Sequence, residues 1–341
     1  MAGKRGMKTY NLCFLGFGNV GRALVRLLAE KRDEMRDLYG IEWRITGVAT
    51  RRAGWLSGAA GLDVETLLDG KPVSNDSPPR DVNEWLQAAR GEVLFETTSL
   101  NPHTGQPGIE HIRAGLLHGA HVITANKGPV VHAFEELEAL AAGQGRRFMF
   151  EATVADCLPV FSMFRECLPA ARILGFRAVL NSTTSIIIEE MERGRTFEEG
   201  VRRAQALGVT ETDPSYDVDG WDAAIKVCAL ARVLMGAPLR LEDIEREGIR
   251  NLDSGDLQAA RRAGHSVKLI SRCVRSDGGA SASVRPEQVS PGDPLIMTGG
   301  TSLMIHFELD VLQGLTVAAH NPNLKSTAYG LLADFINAVR D

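Results

Sequence analysis

Asn11-Leu12-Cys13-Phe14-Leu15-Gly16-Phe17-Gly18-Asn19-Val20-Gly21 is the stretch that decides the fold of the first half of this chain. Residues 11–15 form an apolar run that fits a buried parallel strand. A Gly-x-Gly-x-x-Gly turn follows, after which Val20, Ala23, Leu24, Leu27 and Leu28 recur at helical spacing on one face. In that order of strand, turn and helix, Gly16 allows a tight turn, Gly18 lets a pyrophosphate come close to backbone, and Gly21 lets helix and strand touch. The phosphates would rest on the helix N-terminus, at Gly18, Asn19 and Val20, where free N–H groups and the helix dipole favour an anion. Glycine-rich turns also merely join strands to helices. The flanking strand and helix put a dinucleotide site ahead of that reading.

Working outward, the next strand, Ile45-Thr46-Gly47-Val48-Ala49, ends in Thr50-Arg51-Arg52. A site selective for NAD would place Asp or Glu here to bind the ribose hydroxyl. Two arginines suit a 2′-phosphate instead, so NADP(H) is expected, with NAD(H) as the alternative and a solvated basic loop as the bland reading. Further strand-like runs lie at 93–97, 121–125 and 147–151, separated by helical stretches around 109–119 and 132–143. This alternation predicts an α/β, Rossmann-type doubly wound parallel sheet over residues 1–150. Ligands bind at the carboxyl ends of such strands, which points to Thr97-Thr98-Ser99 and to Asn126-Lys127, with Ala125 beside them as a further candidate for the cofactor.

The chain has 341 residues, enough for two domains with substantial cores. Its formal net charge of −5 is too mild to mark a nucleic-acid or membrane partner. No apolar run approaches the roughly 18 residues of a membrane span, and the N-terminus lacks a signal-peptide core. Five scattered cysteines form no metal spacing and read as reduced thiols, so a cytoplasmic protein is expected, with residues 1–8 as a disordered leader. The histidines at 103, 111, 118, 121 and 132 form no ligand set. Cys157 is a candidate nucleophile only for an acylating dehydrogenase, and is more simply a small buried hydrophobe.

Beyond residue 151 the pattern changes. Pro159 and Pro169 bracket a short helix, and residues 173–180 read as a strand ending in Asn181-Ser182-Thr183-Thr184-Ser185. Helices are expected at 186–193, 198–207 and 221–235, and residues 277–283 as a flexible loop. The segment 211–220 (ETDPSYDVDG) is too polar for a core. Asp222 and Lys226 share one face of a helix, which alone would be an exposed ion pair of roughly 0.3–0.5 kcal/mol. The acidic segment upstream changes that reading, because Glu211 and Asp217 could join them at one helix end. Three carboxylates around one lysine can hold a cationic amine and an alcohol, with the lysine moving the proton.

In colinear order, GFGNVG at 16–21, TANKGP at 124–129, EATV at 151–154, LNSTTS at 180–185 and ETDPSYDVDGWDAAIK at 211–226 make the chain resemble homoserine dehydrogenases over most of its length. The resemblance implies an NAD(P)-binding domain at 1–150, an α+β catalytic and dimerisation domain at 151–315, and a C-terminal segment, 316–341, that returns to the first domain. It implies the short form without a regulatory domain, a homodimer, and a place in threonine and methionine biosynthesis. The implied reaction interconverts L-aspartate 4-semialdehyde and L-homoserine. Lys226 resembles the proton-relaying lysine, Asp222 its partner at the substrate hydroxyl, and Lys127 a second proton-transfer or orienting group. Glu211, Asp217, Asn181 and Thr183 would bind substrate, and Glu151 with the carbonyl at Val154 would hold a sodium ion.

Three glycine-bearing turns of the family are altered here. Ala155-Asp156-Cys157 stands in place of a glycine run, Ser182 in place of the glycine of Asn-Gly-Thr, and Ala319, Asn321 and Asn323 at three glycine positions ahead of Thr327-Ala328. Asn tolerates positive φ best among the other residues, so Asn321 and Asn323 are expected to preserve their turn. The alternatives left open are a relative acting on a different small aldehyde or hydroxy acid, and a catalytically quiet nucleotide-binding protein.

Overall fold

A computed structural model describes residues 6–70, 79–210 and 212–340. The chain divides into two compact units, Met1–Cys157 with Leu324–Asp341, and Leu158–Asn323.

In the first unit, β1 (Lys8–Leu15) leads through the glycine turn into α1 (Asn19–Glu30), then α2 (Arg32–Tyr39) and β2 (Ile41–Thr50). There follow β3 (Gly54–Ser57), α3 (Val64–Asp69), α4 (Val82–Ala89), β4 (Val93–Glu96), α5 (Gly108–His118), β5 (His121–Thr124), α6 (Lys127–Gly143) and β6 (Phe148–Met149). The sheet order is β3-β2-β1-β4-β5-β6, parallel throughout except for β3, which turns back antiparallel on β2. The chain order reverses between β1 and β4, the switch point at which such sheets bind ligands. Three expectations need correction. The leader ends before Lys8, which already lies in β1, and residues 1–5 lie outside the described set. The strand expected at 147–151 shortens to Phe148–Met149, because Glu151 opens a 3-10 turn. The helix expected from 132 starts at Lys127, where Asn126 caps it and Pro129 sits in the first turn, the one place a helix accepts proline.

The second unit begins with α7 (Val160–Ser162), which runs into one π-helical turn. Next come β7 (Ile173–Val179), α8 (Ser182–Glu192), α9 (Phe197–Ala206), α10 (Ser215–Val218), α11 (Trp221–Met235), β8 (Glu245–Arg246) and α12 (Ser254–Arg262). The strands β9 (Ser266–Ser276), β10 (Gly279–Val289), β11 (Leu303–Leu309) and β12 (Leu315–Ala319) complete it. The sheet order is β12-β11-β7-β9-β10-β8, and α8, α11 and α12 pack on β9. Residues 277–283, expected as a loop, form a hairpin: Asp277-Gly278 is the two-residue turn between β9 and β10.

The last helix, α13 (Leu324–Val339), belongs to the first unit. Leu331, Leu332, Phe335 and Ala338 join the core around Tyr10, Leu12 and Phe14, and the Phe335 ring meets Phe95 edge-on at 6.0 Å. The unit boundaries also differ from those expected at 150/151 and 315/316. Residues 151–157 stay with the first unit, where the Glu151 amide donates to Asp334 on α13 (2.8 Å). Residues 316–323 stay with the second, because β12 pairs with β11.

Candidate active site

In the first unit the three glycines of the turn have separate reasons. Gly16 has φ +86, and a Cβ there would lie 2.5 Å from the Thr97 carbonyl oxygen, so nothing larger fits. A Cβ on exposed Gly18 would meet nothing within 4 Å, leaving the start of α1 open to an approaching group. A Cβ on Gly21 would sit 3.2 Å from the Gly16 carbonyl, so the close approach is to the turn itself. Gly18 caps α1 without any side-chain hydrogen bond, which leaves the N–H groups near Asn19 and Val20 uncovered by a cap.

Thr97 and Thr98 follow β4 directly. The Thr97 amide donates to the Leu15 carbonyl (2.8 Å) and its hydroxyl to the Gly16 carbonyl (3.0 Å), which fastens this loop to the glycine turn. Ala125 and Lys127 follow β5, with Lys127 as the first residue of α6. Arg51 and Arg52 are exposed in the turn between β2 and β3, where the Thr50 hydroxyl accepts from the Ala53 amide (2.9 Å).

In the second unit the polar residues singled out from the sequence come together. Asn181 caps α8: its Oδ1 accepts from the Thr184 amide (2.9 Å). The helix expected from 186 therefore starts at Ser182, and residues 182–185 are its first turn and not the end of the preceding strand. Its Nδ2 donates to Asp217 Oδ1 (2.7 Å) and to Asp222 Oδ2 (3.0 Å), so one amide holds two carboxylates side by side. Asp217 also accepts from the Thr183 and Thr210 hydroxyls (3.1 and 3.0 Å). Burial first, and then the Asp222 charge, push the Asp217 carboxyl above its ordinary pKa against those hydrogen bonds. Lys226 lies one turn after Asp222 on α11. Its Nζ is 2.8 Å from Asp222 Oδ2 and donates to the Leu180 carbonyl (2.6 Å). Both side chains are 13% exposed, so this is no solvated surface pair. Glu211 lies outside the described residues. Thr210 and the Leu180 carbonyl went unread in the sequence; a backbone acceptor has no residue signature at all.

Trp221 lies beneath the Arg246 guanidinium, 3.6 Å from the ring centre. The neighbouring Tyr216 hydroxyl is buried, and burial raises its pKa. The thiol of Cys157 is likewise pushed up, by burial and then by Asp156, which disfavours the thiolate an acylating enzyme needs.

At two of the altered positions the backbone is left-handed, the region a glycine would favour: Asp156 has φ 55 and Asn321 φ 47. Asn323, expected to preserve its turn in the same way, does not have a positive φ. Two of the new side chains make contacts within their own units, and Asn321 makes one through its backbone. Asp156 Oδ1 accepts from the Thr327 hydroxyl (2.7 Å), the Ser182 hydroxyl donates to the Thr301 carbonyl (3.0 Å), and the Asn321 amide donates to the Ser302 hydroxyl (3.2 Å). Glu151 and Val154 are both buried, at 6% and 2% exposure. Among the described residues no group of three or more His, Cys, Asp or Glu side chains is gathered as for a metal ion, and no helix is long and apolar enough to cross a membrane.

Residues 16–151 match the family described as the NAD-binding domain of homoserine dehydrogenase, and residues 159–336 match homoserine dehydrogenase itself. The NAD(+)-dependent homoserine dehydrogenase of Pseudomonas canavaninivorans is 34% identical over 97% of this chain and 96% of its own. The homoserine dehydrogenase of Methanocaldococcus jannaschii is 30% identical over 96% and 98%. Among solved structures, a homoserine dehydrogenase from Thiobacillus denitrificans superposes with a TM-score of 0.82 at 27% identity, over 98% of this chain and 74% of that one. A hyperthermophilic archaeal homoserine dehydrogenase in complex with NADPH gives 0.80 at 27% identity, over 97% and 98%. With both halves matched and relatives aligned along nearly its whole length, the chain belongs to the homoserine dehydrogenase family, NAD(P)-dependent oxidoreductases that act on the CH–OH group of a small molecule.

Proposed function

We propose that this protein interconverts L-aspartate 4-semialdehyde and L-homoserine with NADP(H), using Lys226 as the proton relay. The observation that carries the reading is the Lys226–Asp222 pair, largely buried and held beside Asp217 by a single asparagine amide. The open, uncapped start of α1 and the free space at Gly18 fit a pyrophosphate. When bound, the reduced nicotinamide supplies the hydride that reaches the aldehyde carbon. As alkoxide charge develops on the substrate oxygen, Lys226 gives up a proton to it, and Asp222 holds the ammonium in place and bonds the hydroxyl. Asp217, Asn181, Thr183 and Glu211 bind the amino-acid end of the substrate. Lys127, at the head of α6, orients the group that reacts.

Arg51 and Arg52 support the preference for NADP(H), since both are exposed where the adenosine ribose of a dinucleotide would end and neither is an acid. The NAD(+)-dependent relative favours NAD(H) as the second reading. Glu151 and the Val154 carbonyl offer only oxygen donors, a set that suits a hard cation such as sodium. The reading includes a homodimer, supported by the family resemblance, in the cytoplasm, supported by the unpaired Cys13, Cys228 and Cys273 thiols. The test follows reduced nicotinamide absorbance with L-homoserine and either cofactor. Turnover is expected, faster with NADP, and the double variant Arg51→Ala/Arg52→Ala should weaken NADP about tenfold or more while sparing NAD. No turnover with either cofactor refutes the reaction, and equal use of both by the wild type refutes the cofactor preference.

A further inference from the structure

Glu96 is a buried carboxylate that the mechanism above does not use. It ends β4 and has 0% exposure, a place where an apolar side chain would be the ordinary choice. Its hydrogen-bond partners are neutral donors from two separate loops. Oε1 accepts from the Thr98 amide (3.1 Å) and from the Thr98 hydroxyl. Oε2 accepts from the Thr124 hydroxyl (2.7 Å) on β5, and the Asn126 side chain is a further donor. The Thr124 hydroxyl in turn accepts from the Asn126 amide (2.9 Å), and Asn126 Oδ1 caps α6 by accepting from the Gly128 amide (3.1 Å). One side chain thus ties the loop after β4 to the loop after β5.

The chemistry asks for an acid. Only a carboxylate offers acceptor sites on both oxygens and no donor, so it can receive N–H and O–H groups from both sides at once. A glutamine of the same shape would either aim its NH2 group at the Thr98 amide, which can only donate, or turn the Thr124 hydroxyl from donor to acceptor. Burying the charge is unfavourable, and burial does push the Glu96 carboxyl above its ordinary pKa. A fold that needed only to fill this space would use leucine.

We propose that Glu96 is a positioning residue for the reaction, holding Thr98 and Lys127 in fixed register at the carboxyl ends of β4 and β5. The inference rests on the reading that these two loops face the nicotinamide. It is tested in the full chain with Glu96→Gln and, should that variant not fold, with Thr124→Val, which takes the Thr124 hydroxyl from Glu96 and from the Asn126 amide while the Asn126 side chain remains. The expected result for Glu96→Gln is a kcat about tenfold to a hundredfold lower with the NADPH dissociation constant within about threefold of wild type. Thr124→Val should lose a few-fold in kcat. Adding Lys127→Ala should cost less in the Glu96→Gln background than in the wild type, because the lysine is already out of register. Hydrogen exchange reads the tie without any substrate: peptides covering 97–101 and 125–130 should lose protection together. Wild-type kcat and KM in both variants, multiplicative costs with Lys127→Ala, or lost protection in one loop alone would overturn the proposal. If the wild type itself fails to turn over L-homoserine, the functional reading falls, while the exchange experiment still decides whether Glu96 ties the loops.

Discussion

Replacing Lys226 with methionine keeps the unbranched shape of the side chain, one atom shorter, and removes its charge. Two consequences can be sized separately. Structurally, Asp222 loses a partner at 2.8 Å and the Leu180 carbonyl a donor at 2.6 Å, while the acid keeps one Asn181 N–H and stays beside Asp217. Breaking a buried pair from one side costs about 3–5 kcal/mol, and with each side chain 13% exposed the lower end applies, about 3 kcal/mol. Melting should therefore fall by several degrees. Chemically, the proposed relay predicts that losing Lys226 removes general acid catalysis worth about 10²–10⁴ in kcat, roughly 3–5 kcal/mol of barrier. The NADPH dissociation constant should stay within about twofold, since the glycine turn belongs to the other unit. Steady-state kinetics, fluorescence titration with NADPH and thermal melts on the same preparation give all three quantities. Adding Asp222→Asn removes the stranded charge, so that double variant should recover most of the melting temperature and none of the kcat. Lys226→Arg should keep the ion pair and stay slow, because a guanidinium does not release its proton near neutral pH. A kcat for Lys226→Met within about tenfold of wild type, or one that returns together with stability in the double variant, refutes the relay.

Other outcomes follow from single residues. His121 Nδ1 accepts from the Arg147 amide (3.2 Å); burial first, and then the charges of Arg146, Lys8 and Arg147, pull its pKa from 6.5 to about 4. The unfolded chain therefore takes up this proton first as pH falls, so stability should decline between pH 6.5 and about 4. His121→Gln should flatten that part of a urea-midpoint profile; an unchanged profile counts against the assignment. Gly16→Ala would put a Cβ 2.5 Å from the Thr97 carbonyl on a backbone at φ +86, so NADPH affinity should fall by about tenfold or more in a titration, and wild-type affinity would show that the turn can relax. Asn321→Gly should melt within about 0.5 kcal/mol of wild type, whereas Asn321→Val, β-branched at φ 47, should lose about 1–2 kcal/mol or more; equal melts for the two would deny the left-handed requirement.

What could be read from residues alone was set by how local the signal is. Gly16–Gly21 lies between a run of apolar residues and a helical stripe, so strand, turn and helix are all specified within about twenty residues. The spacing of Asp222 and Lys226 puts them on one helical face, yet spacing says nothing of the 13% exposure that separates this pair from a surface ion pair. Asn181–Ser185 reads as the end of a strand, with the helix only from 186, because serine and threonine are poor helix formers; the helix begins at Ser182 because Asn181 caps it. The hairpin at Asp277-Gly278 carried the right dipeptide, but Gly279-Ala280-Ser281-Ala282-Ser283 alternates only small residues of low strand propensity, and its pairing with β9 keeps it extended. Glu96 is the extreme case. A glutamate at a strand end is ordinarily solvated, and nothing short of three-dimensional packing reveals donors from two loops converging on it.

The placement of α13 has a consequence for synthesis. On the ribosome, Tyr10, Phe14 and Phe95 emerge early, but the ring of Phe335 that covers Tyr10 at 5.9 Å, and the Asp334 carboxylate that receives the Glu151 amide, come only after residues 158–323 have been made. At typical elongation rates that delay is on the order of ten seconds. The second unit, continuous in sequence, can settle while the first still has an unsealed core. A chain that stalls or is clipped before Leu324 would thus carry its glycine turn on a half that never closes, and the capacity to hold a dinucleotide becomes a report that translation ran to the last helix.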